Sequence, residues 1–254
     1  MTKELETAGR GPSIWTRPER SARGPVPEHS RAEIAAAGVV LADARGLAAV
    51  TMRSAAAAVG TAPASLYRYV STRDELVELM ADQVYAEISG PRPGPGDPGP
   101  GPGDSEPGPG DPVAGLLRLG RQSRAVYHRH PWLLDVPATG NLPGPNAVAF
   151  IELALAALAT VDLTGPEKLV TVGLFSGVVR LFAQTEISQR QAGQDTAEWQ
   201  TSLAGYLVQI AAAGQHPHLA AALADGSAGG GPVQDEPLFD QAMTRILTGL
   251  LPSG

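Results

Sequence analysis

The chain has 254 residues, a net charge of −7 and a pI near 5.2, with 43% hydrophobic residues, 5% aromatic residues and no cysteine. This length allows one or two domains with a sizeable core, but the absence of thiols excludes a disulfide framework and a thiolate metal site. The acidic balance excludes a general nucleic-acid coat, which would be basic throughout. With so few aromatics, cores must be built from Ala, Leu and Val, which suits close-packed helices better than sheets. The N-terminus carries no apolar signal region, and no apolar run approaches the ~18 residues that a membrane span needs. The chain therefore reads as soluble and cytoplasmic, with no membrane partner.

Residues 1–29 mix Pro, Gly, Ser and charge without periodicity and read as a disordered basic arm. Between Arg10 and Arg23 it holds four arginines against Glu19. Such an arm either remains a solvated tail or reaches into a minor groove next to a DNA-reading helix. Ile14 and Trp15 are its apolar residues suited to anchoring it on the first helix. Ser30, with Glu33 at capping-box spacing, starts that helix, whose stripe would be Ile34, Ala37, Val40 and Leu41 before Gly46 ends it. Thr51 caps a second helix carrying Met52, Ala55, Ala56 and Val59, stopped at Gly60. Thr61 is placed to cap a short third helix with Pro63 in its first turn, running through Leu66 and Tyr67 to about Val70. Ser71, with Asp74 three residues on, would start a fourth, with Leu76, Leu79, Met80 and Val84 on one face. A small-residue helix, a tight glycine turn and a short second helix form the pattern of a helix-turn-helix. Arg45, Arg53, Arg68 and Arg73 lie in this stretch with no acidic residue between Arg45 and Arg73, a basic island in an acidic chain. An ordinary helical hairpin with a basic face has the same gross pattern.

The individual residues go further. From Ser30 to Ile88 the segment resembles the DNA-binding domain of the tetracycline-repressor (TetR) family. The likeness is carried by A-R-G-L at 44–47, T-M-R at 51–53, A-x-x-V-G at 56–60, S-L-Y-R-Y-V at 65–70 and S-T-R-D-E-L at 71–76. The resemblance implies a recognition helix at about 62–69 whose outward positions Ala62, Pro63, Ala64, Ser65 and Tyr69 approach the major groove. It also implies that Arg53 reaches a base edge, where it can pair bidentately with guanine O6 and N7. Tyr67 matches the family tyrosine whose hydroxyl goes to a phosphate, and Arg73, Thr51 and Ser71 are further phosphate contacts. Leu66 and Val70 are core. A recognition face this small and weakly polar leaves specificity to Arg53 and to DNA shape.

Residues 90–112 contain no aliphatic or aromatic side chain and carry Arg92 against four acids, so they read as a Pro/Gly-rich linker. This departs from the family's short turn between its fourth and fifth helices; the preferred reading is an insertion that loops out. From 113 to 254 the chain is helical again, at roughly 113–130, 147–160, 166–191, 197–213, a short piece after Pro217, and 238–251. Asn146 would cap the second of these. Thr164 with Glu167, and Asp195 with Glu198, mark the starts of later ones. His130-Pro131-Trp132 and Pro145-Asn146 resemble the C-terminal regulatory domain of some TetR relatives. By that resemblance a ligand pocket would use Tyr127, Trp132, Phe150, Phe175 and Phe182 as walls and His128, Glu152, Arg180 and Gln184 as orienting groups. Each has a plainer alternative: an aromatic at helical spacing is more often core, and a charged residue on these helices is usually solvated.

His128 and His130, like His216 and His218, sit at i and i+2, which point to different sides of a helix, and no carboxylate pattern completes a set. No metal and no cofactor is expected. Nor is an enzyme, since no phosphate loop, nucleophile elbow or catalytic carboxylate pair is present. The fold expected is all-α, in four parts. An arm at 1–29 leads to a three-helix helix-turn-helix head at 30–89, which the linker at 90–112 joins to a helical ligand-binding and dimerisation domain at 113–254. The function expected is a homodimeric, sequence-specific transcriptional repressor, released from an inverted-repeat operator in double-stranded DNA by a small-molecule effector. The alternatives are a small-molecule binding or sequestering protein with a vestigial DNA head, and a sequence-neutral architectural DNA binder.

Overall fold

The computed structural model describes residues 13–17, 28–89, 111–137, 142–192, 195–224 and 236–252, and among them every regular element is helical. The rest of the expected arm, residues 90–110, 138–141, 193–194, 225–235 and 253–254, and the side chains of Asp195 and Glu198 lie outside the described residues. The helices are α1 (Arg31–Arg45), α2 (Met52–Ala58), α3 (Pro63–Leu66), α4 (Arg73–Ser89), α5 (Pro112–Arg129), α6 (Pro145–Ala157), α7 (Gly165–Ala192), α8 (Asp195–Ala212), α9 (Pro217–Ala224) and α10 (Glu236–Leu250). The chain divides into two compact units, 1–160 and 161–254, so α5 and α6 share a unit with the helix-turn-helix.

In the first unit α4 is the common element, packing against α1, α5 and α6. Its expected apolar face is in place: Leu76 and Met80 are fully buried, and Leu79 and Val84 nearly so. The stripe of α1 is rotated from expectation. Its buried residues are Ile34, Ala35, Gly38 and Ala42, while Val40 is 67% exposed and Ala37 and Leu41 are half-buried. The reason is Gly38, where an added Cβ would stand 2.6 Å from Met80 Sδ; a glycine there lets α4 approach on that side. Ser30 and Glu33 form the capping box, and Gly46 ends the helix at φ 77°.

Three caps differ from the sequence reading. The third helix starts from Ala62 with no side-chain cap, so Thr61 does not cap it, and it ends by Leu66. At the start of α4, Thr72 Oγ1 accepts the Glu75 N–H at 3.1 Å, one residue later than Ser71. Helix α6 begins at Pro145, so Asn146 lies inside its first turn, not at its cap. The orphan amides there are satisfied from another helix. Asp82 of α4, 5% exposed, accepts from the N–H groups of Asn146 and Ala147 at 3.0 Å each and from Asn146 Nδ2 at 3.0 Å. A carboxylate at a helix N-terminus also complements the dipole. Gly144 is needed beside it, since a Cβ there would run into the Asp82 carboxylate and stand 2.7 Å from the Trp15 ring.

The short turn Ser13–Arg17 is folded onto this unit. Ile14 is 1% exposed, as an anchor should be, and Arg31 of α1 donates to the carbonyls of Ile14 (3.0 Å) and Arg17 (2.8 Å). Arg17 makes a two-pronged pair with Glu75, at 3.2 and 2.7 Å, and its Nη1 donates to Ser71 Oγ at 2.8 Å. Glu75 also accepts the Ser71 N–H at 2.7 Å. Burial alone would push the Glu75 carboxyl up. The Arg17 hydrogen bond, the Ser71 N–H and hydroxyl and the Arg17 charge outweigh it and hold the group below 4.5.

In the second unit, Val172, Phe175, Val179 and Ala183 of α7 are buried, as are Phe239, Met243 and Leu247 of α10. Phe182 meets Phe239 edge-on at 5.4 Å between centroids. Helix α7 corrects one expectation. Its best 18-residue stretch reaches mean hydropathy 1.2, so by length and composition alone it is apolar enough to cross a membrane. It also carries a buried Glu186 and packs on α8 and α10.

Two outcomes follow. Asp82→Ala should cost about 1–2 kcal/mol, as for a lost N-cap, and lower the melting temperature by roughly 2–8 °C; Asp82→Asn keeps one acceptor and should lose less. Because Glu75 is held below 4.5 in the folded state, its contribution is complete above that pH and disappears as pH falls through its folded value. Urea midpoints of wild type and Glu75→Gln should therefore differ at pH 7 and converge in acid. A gap that stays constant would show that the carboxylate's charge is irrelevant.

Candidate nucleic-acid interface

The reading head is built by local chemistry. Thr51 Oγ1 accepts the Ser54 N–H at 3.0 Å and Ser54 Oγ accepts the Thr51 N–H at 2.9 Å, a capping box that starts α2. Ala55 and Ala56 are fully buried, so α2 can lie close against α3. Gly60, at φ 74°, makes the turn that a side chain would strain. Beyond Leu66 the chain continues as turns, with Arg68, Tyr69 and Val70 N–H groups bonded to the carbonyls of Ser65 and Leu66. Leu66 and Val70 are fully buried, as core residues should be.

The exposed face is narrower than the resemblance implied. Ala62, Pro63 and Ala64 are exposed and Ser65 is half-buried. Arg53, in the first turn of α2, is exposed, as are Arg45 and Arg68. Tyr67 is 53% exposed, which is unusual for an aromatic on a packed head. Thr51 and Ser71 are exposed, although the hydroxyl of Ser71 already accepts from Arg17.

Two expected contact residues are turned inward. Tyr69 is 9% exposed; its hydroxyl accepts the His29 N–H at 3.5 Å, its ring stands edge-on to His29, and its carbonyl accepts from Arg31 Nε at 3.2 Å. The short α3 has already unwound there, which rotates Tyr69 from the outward side into the core. Arg73 is half-buried, with Nε on the Val50 carbonyl at 2.7 Å and Nη2 on the Leu47 carbonyl at 2.8 Å. Those carbonyls belong to the single 3₁₀ turn between α1 and α2, so Arg73 staples that turn to α4.

The ligand candidates fall in both units. Tyr127, Trp132 and Phe150 are buried in the first, with His128 half-buried and Glu152 exposed. Phe150 lies 6.1 Å from Tyr85 of α4, ring to ring. Trp132 is more than a wall: its Nε1 donates to Asp43 Oδ1 of α1 at 2.7 Å. His130 also uses Asp43 Oδ1, with Nδ1 at 2.7 Å, while its Nε2 is 3.1 Å from Glu87 Oε1 of α4. In the second unit Phe175 is fully buried, Phe182 and Arg180 are half-buried and Gln184 is exposed. His216 and His218 line an open groove with Ile210, Gln215, Pro217 and Leu219.

Sequence reasoning missed Asp82, Asp43 and Arg31. For Asp82 a signal existed: an acid three residues after Leu79, on a helix whose other buried positions are aliphatic. Nothing local marks Asp43 or Arg31, whose partners are 87 and 17 residues away.

Comparison with known proteins agrees with this architecture. Residues 34–80 match the family described as bacterial regulatory proteins, tetR family, and residues 105–252 match the tetracyclin repressor-like C-terminal domain. An HTH-type transcriptional repressor, DrrR1, from Streptomyces coeruleorubidus is 33% identical over 255 residues, covering 96% of this chain and 88% of that protein. An HTH-type transcriptional regulator from Saccharopolyspora erythraea is 30% identical, covering 82% of each. Among solved structures, the Streptomyces coelicolor TetR family protein ActR in complex with actinorhodin is similar, with TM-score 0.68 and 26% identity over 88% of this chain and 95% of that one. An exposed Arg53 and Tyr67 on a helix-turn-helix, and these matches across both units, make the chain a member of the tetR family of DNA-binding transcriptional regulators.

Proposed function

We propose that the protein is a homodimeric repressor that holds an inverted-repeat operator and releases it when a small molecule binds the helical region 113–254. The observation that carries the DNA contact is the pairing of an exposed Arg53 with a 53% exposed Tyr67 in a stretch free of acidic residues. Arg53 reads a base edge, and Tyr67 and Thr51 hold phosphates. Ala62, Pro63 and Ala64 give the close apolar approach, with the Ser65 hydroxyl beside them. Ser71 contributes through its turn. Tyr69 and Arg73 act indirectly, by holding the head together.

Self-association is supported by the outer face of α7, where Val170, Leu174 and Leu181 are at least 50% exposed and Gly173 and Gly177 have open space around them. These positions recur at helical spacing along one side, and Tyr206 and Val208 of α8 are exposed as well. An apolar face of this kind is covered by a second copy, and two-fold symmetry then presents two heads to successive grooves. Repression is supported by the similarity to DrrR1, named a repressor, and a small-molecule effector by the likeness to ActR, crystallised with actinorhodin. Releasing an operator 100-fold takes a coupling of about 2.7 kcal/mol, within the usual range. Such a regulator works in the cytoplasm, without a membrane partner. The sequestering-protein alternative shares the ligand-binding half but needs no contact from Arg53.

On a duplex chosen for tight binding, Arg53→Ala should weaken affinity by roughly 5- to 150-fold, the value of one bidentate base contact. Tyr67→Phe should lose roughly 10- to 150-fold, one hydrogen bond to a charged group. Wild-type affinity in both variants would remove the residue assignment. For the dimer, Leu181→Asp should yield a helical monomer in sedimentation equilibrium, and an unchanged dimer would place the interface elsewhere.

A further inference from the structure

The turn Ser13–Arg17 touches two places that serve different ends of a regulator. At one end Trp15 Nε1 donates to the Leu142 carbonyl at 3.2 Å, just before α6, and its ring lies over Gly144 beside Asp82. At the other end Arg17 grips Ser71 and Glu75, the residues that lead from the recognition segment into α4. Between the two the segment is a single closed turn, with the N–H groups of Thr16 and Arg17 both bonded to the Ser13 carbonyl at 3.0 and 3.2 Å. Ile14 is buried beneath it, and Arg31 holds it by two carbonyls. A rigid turn fixed at both ends transmits displacement, whereas a solvated tail would not.

We propose that Ser13–Arg17 is a strap that couples the start of α6 to the recognition head, with Trp15 and Arg17 as positioning residues for operator binding. This rests on the DNA-binding reading above. When the 142–144 segment moves, Trp15 moves with it, and Arg17 changes its hold on Glu75 and so on the turn at Ser71. This path runs beside the one through Asp82 and α4. It also gives the described part of the arm a role other than direct DNA contact: Arg17 is paired with a carboxylate, and Trp15 is occupied by a backbone carbonyl.

The test uses the full-length protein and the variants Trp15→Ala, Trp15→Phe, Arg17→Ala and the double variant Trp15→Ala/Arg17→Ala. Without DNA, amide hydrogen exchange at Ser71 and Glu75 should accelerate in Trp15→Ala, although Trp15 touches neither, and Trp15→Phe should fall between it and wild type. On a tight-binding duplex, Trp15→Ala should weaken affinity roughly 5- to 20-fold, the lower part of the range for coupled sites. Its dependence on salt should keep the wild-type slope, because no phosphate contact is lost. The double variant should bind no more weakly than the worse single one, as expected for one lever cut twice. A reduced salt slope would instead make the segment a direct DNA contact and overturn the strap. Unchanged exchange at Ser71 and Glu75 would overturn it too. If wild type binds no duplex at all, the DNA-binding reading fails, and the DNA-free exchange experiment still decides the strap.

Discussion

The carboxylate of Asp82 is buried in α4 and accepts the first amides of α6. A charge in that position is stable only while those donors stay in place, because an unpaired buried carboxylate is costly. The two helices therefore move together or separate at considerable cost. Helix α4 also carries Met80 into the gap left by Gly38 of α1, and Glu87 toward His130. One helix thus meets the reading head on one side and α5 and α6 on the other. A second polar cluster of the first unit repeats that theme. Asp43 of α1 is shared by His130 and Trp132, so the His-Pro-Trp turn after α5 is tied directly to the first helix of the head.

Much of this was legible in the sequence because it is encoded locally. Ser30 with Glu33, the glycines at 46 and 60, and the apolar positions 76, 79, 80 and 84 act within one or two turns of helix, and each stands where the pattern put it. The helix-turn-helix motif was legible for the same reason. What was not legible depends on contacts distant in sequence. The stripe of α1 is set by Met80, some 40 residues on; Asn146 is relieved of its cap by Asp82; and Arg73 and Tyr69 turn inward because carbonyls and amides of neighbouring segments meet them. A family pattern assigns such residues by position, and position alone does not say whether a guanidinium faces a phosphate or a backbone carbonyl.

The charge distribution explains how an acidic chain can bind DNA. Its net charge is −7, yet the residues from Arg45 to Arg73 contain no acid, and the described residue that neutralises Arg17 nearby is Glu75, just outside that island. Field and shape are thereby concentrated on one small head. With alanines and a proline on the recognition segment, few groups there can read bases, so in the proposed dimer most of the affinity comes from phosphates and from two heads held at fixed spacing. In the proposed dimer, spacing is the variable that a ligand acts on, and the polar ties from α5, α6 and the N-terminal turn join the head to the rest of the first unit.

The most direct test of this account is to select genomic fragments bound by the purified protein at ~150 mM salt, where non-specific phosphate binding is suppressed. The account predicts an enriched inverted repeat whose half-site centres lie about one helical turn, or a small multiple of it, apart. No enrichment by folded, dimeric protein would contradict it and favour a ligand-binding protein whose reading head has lost its function.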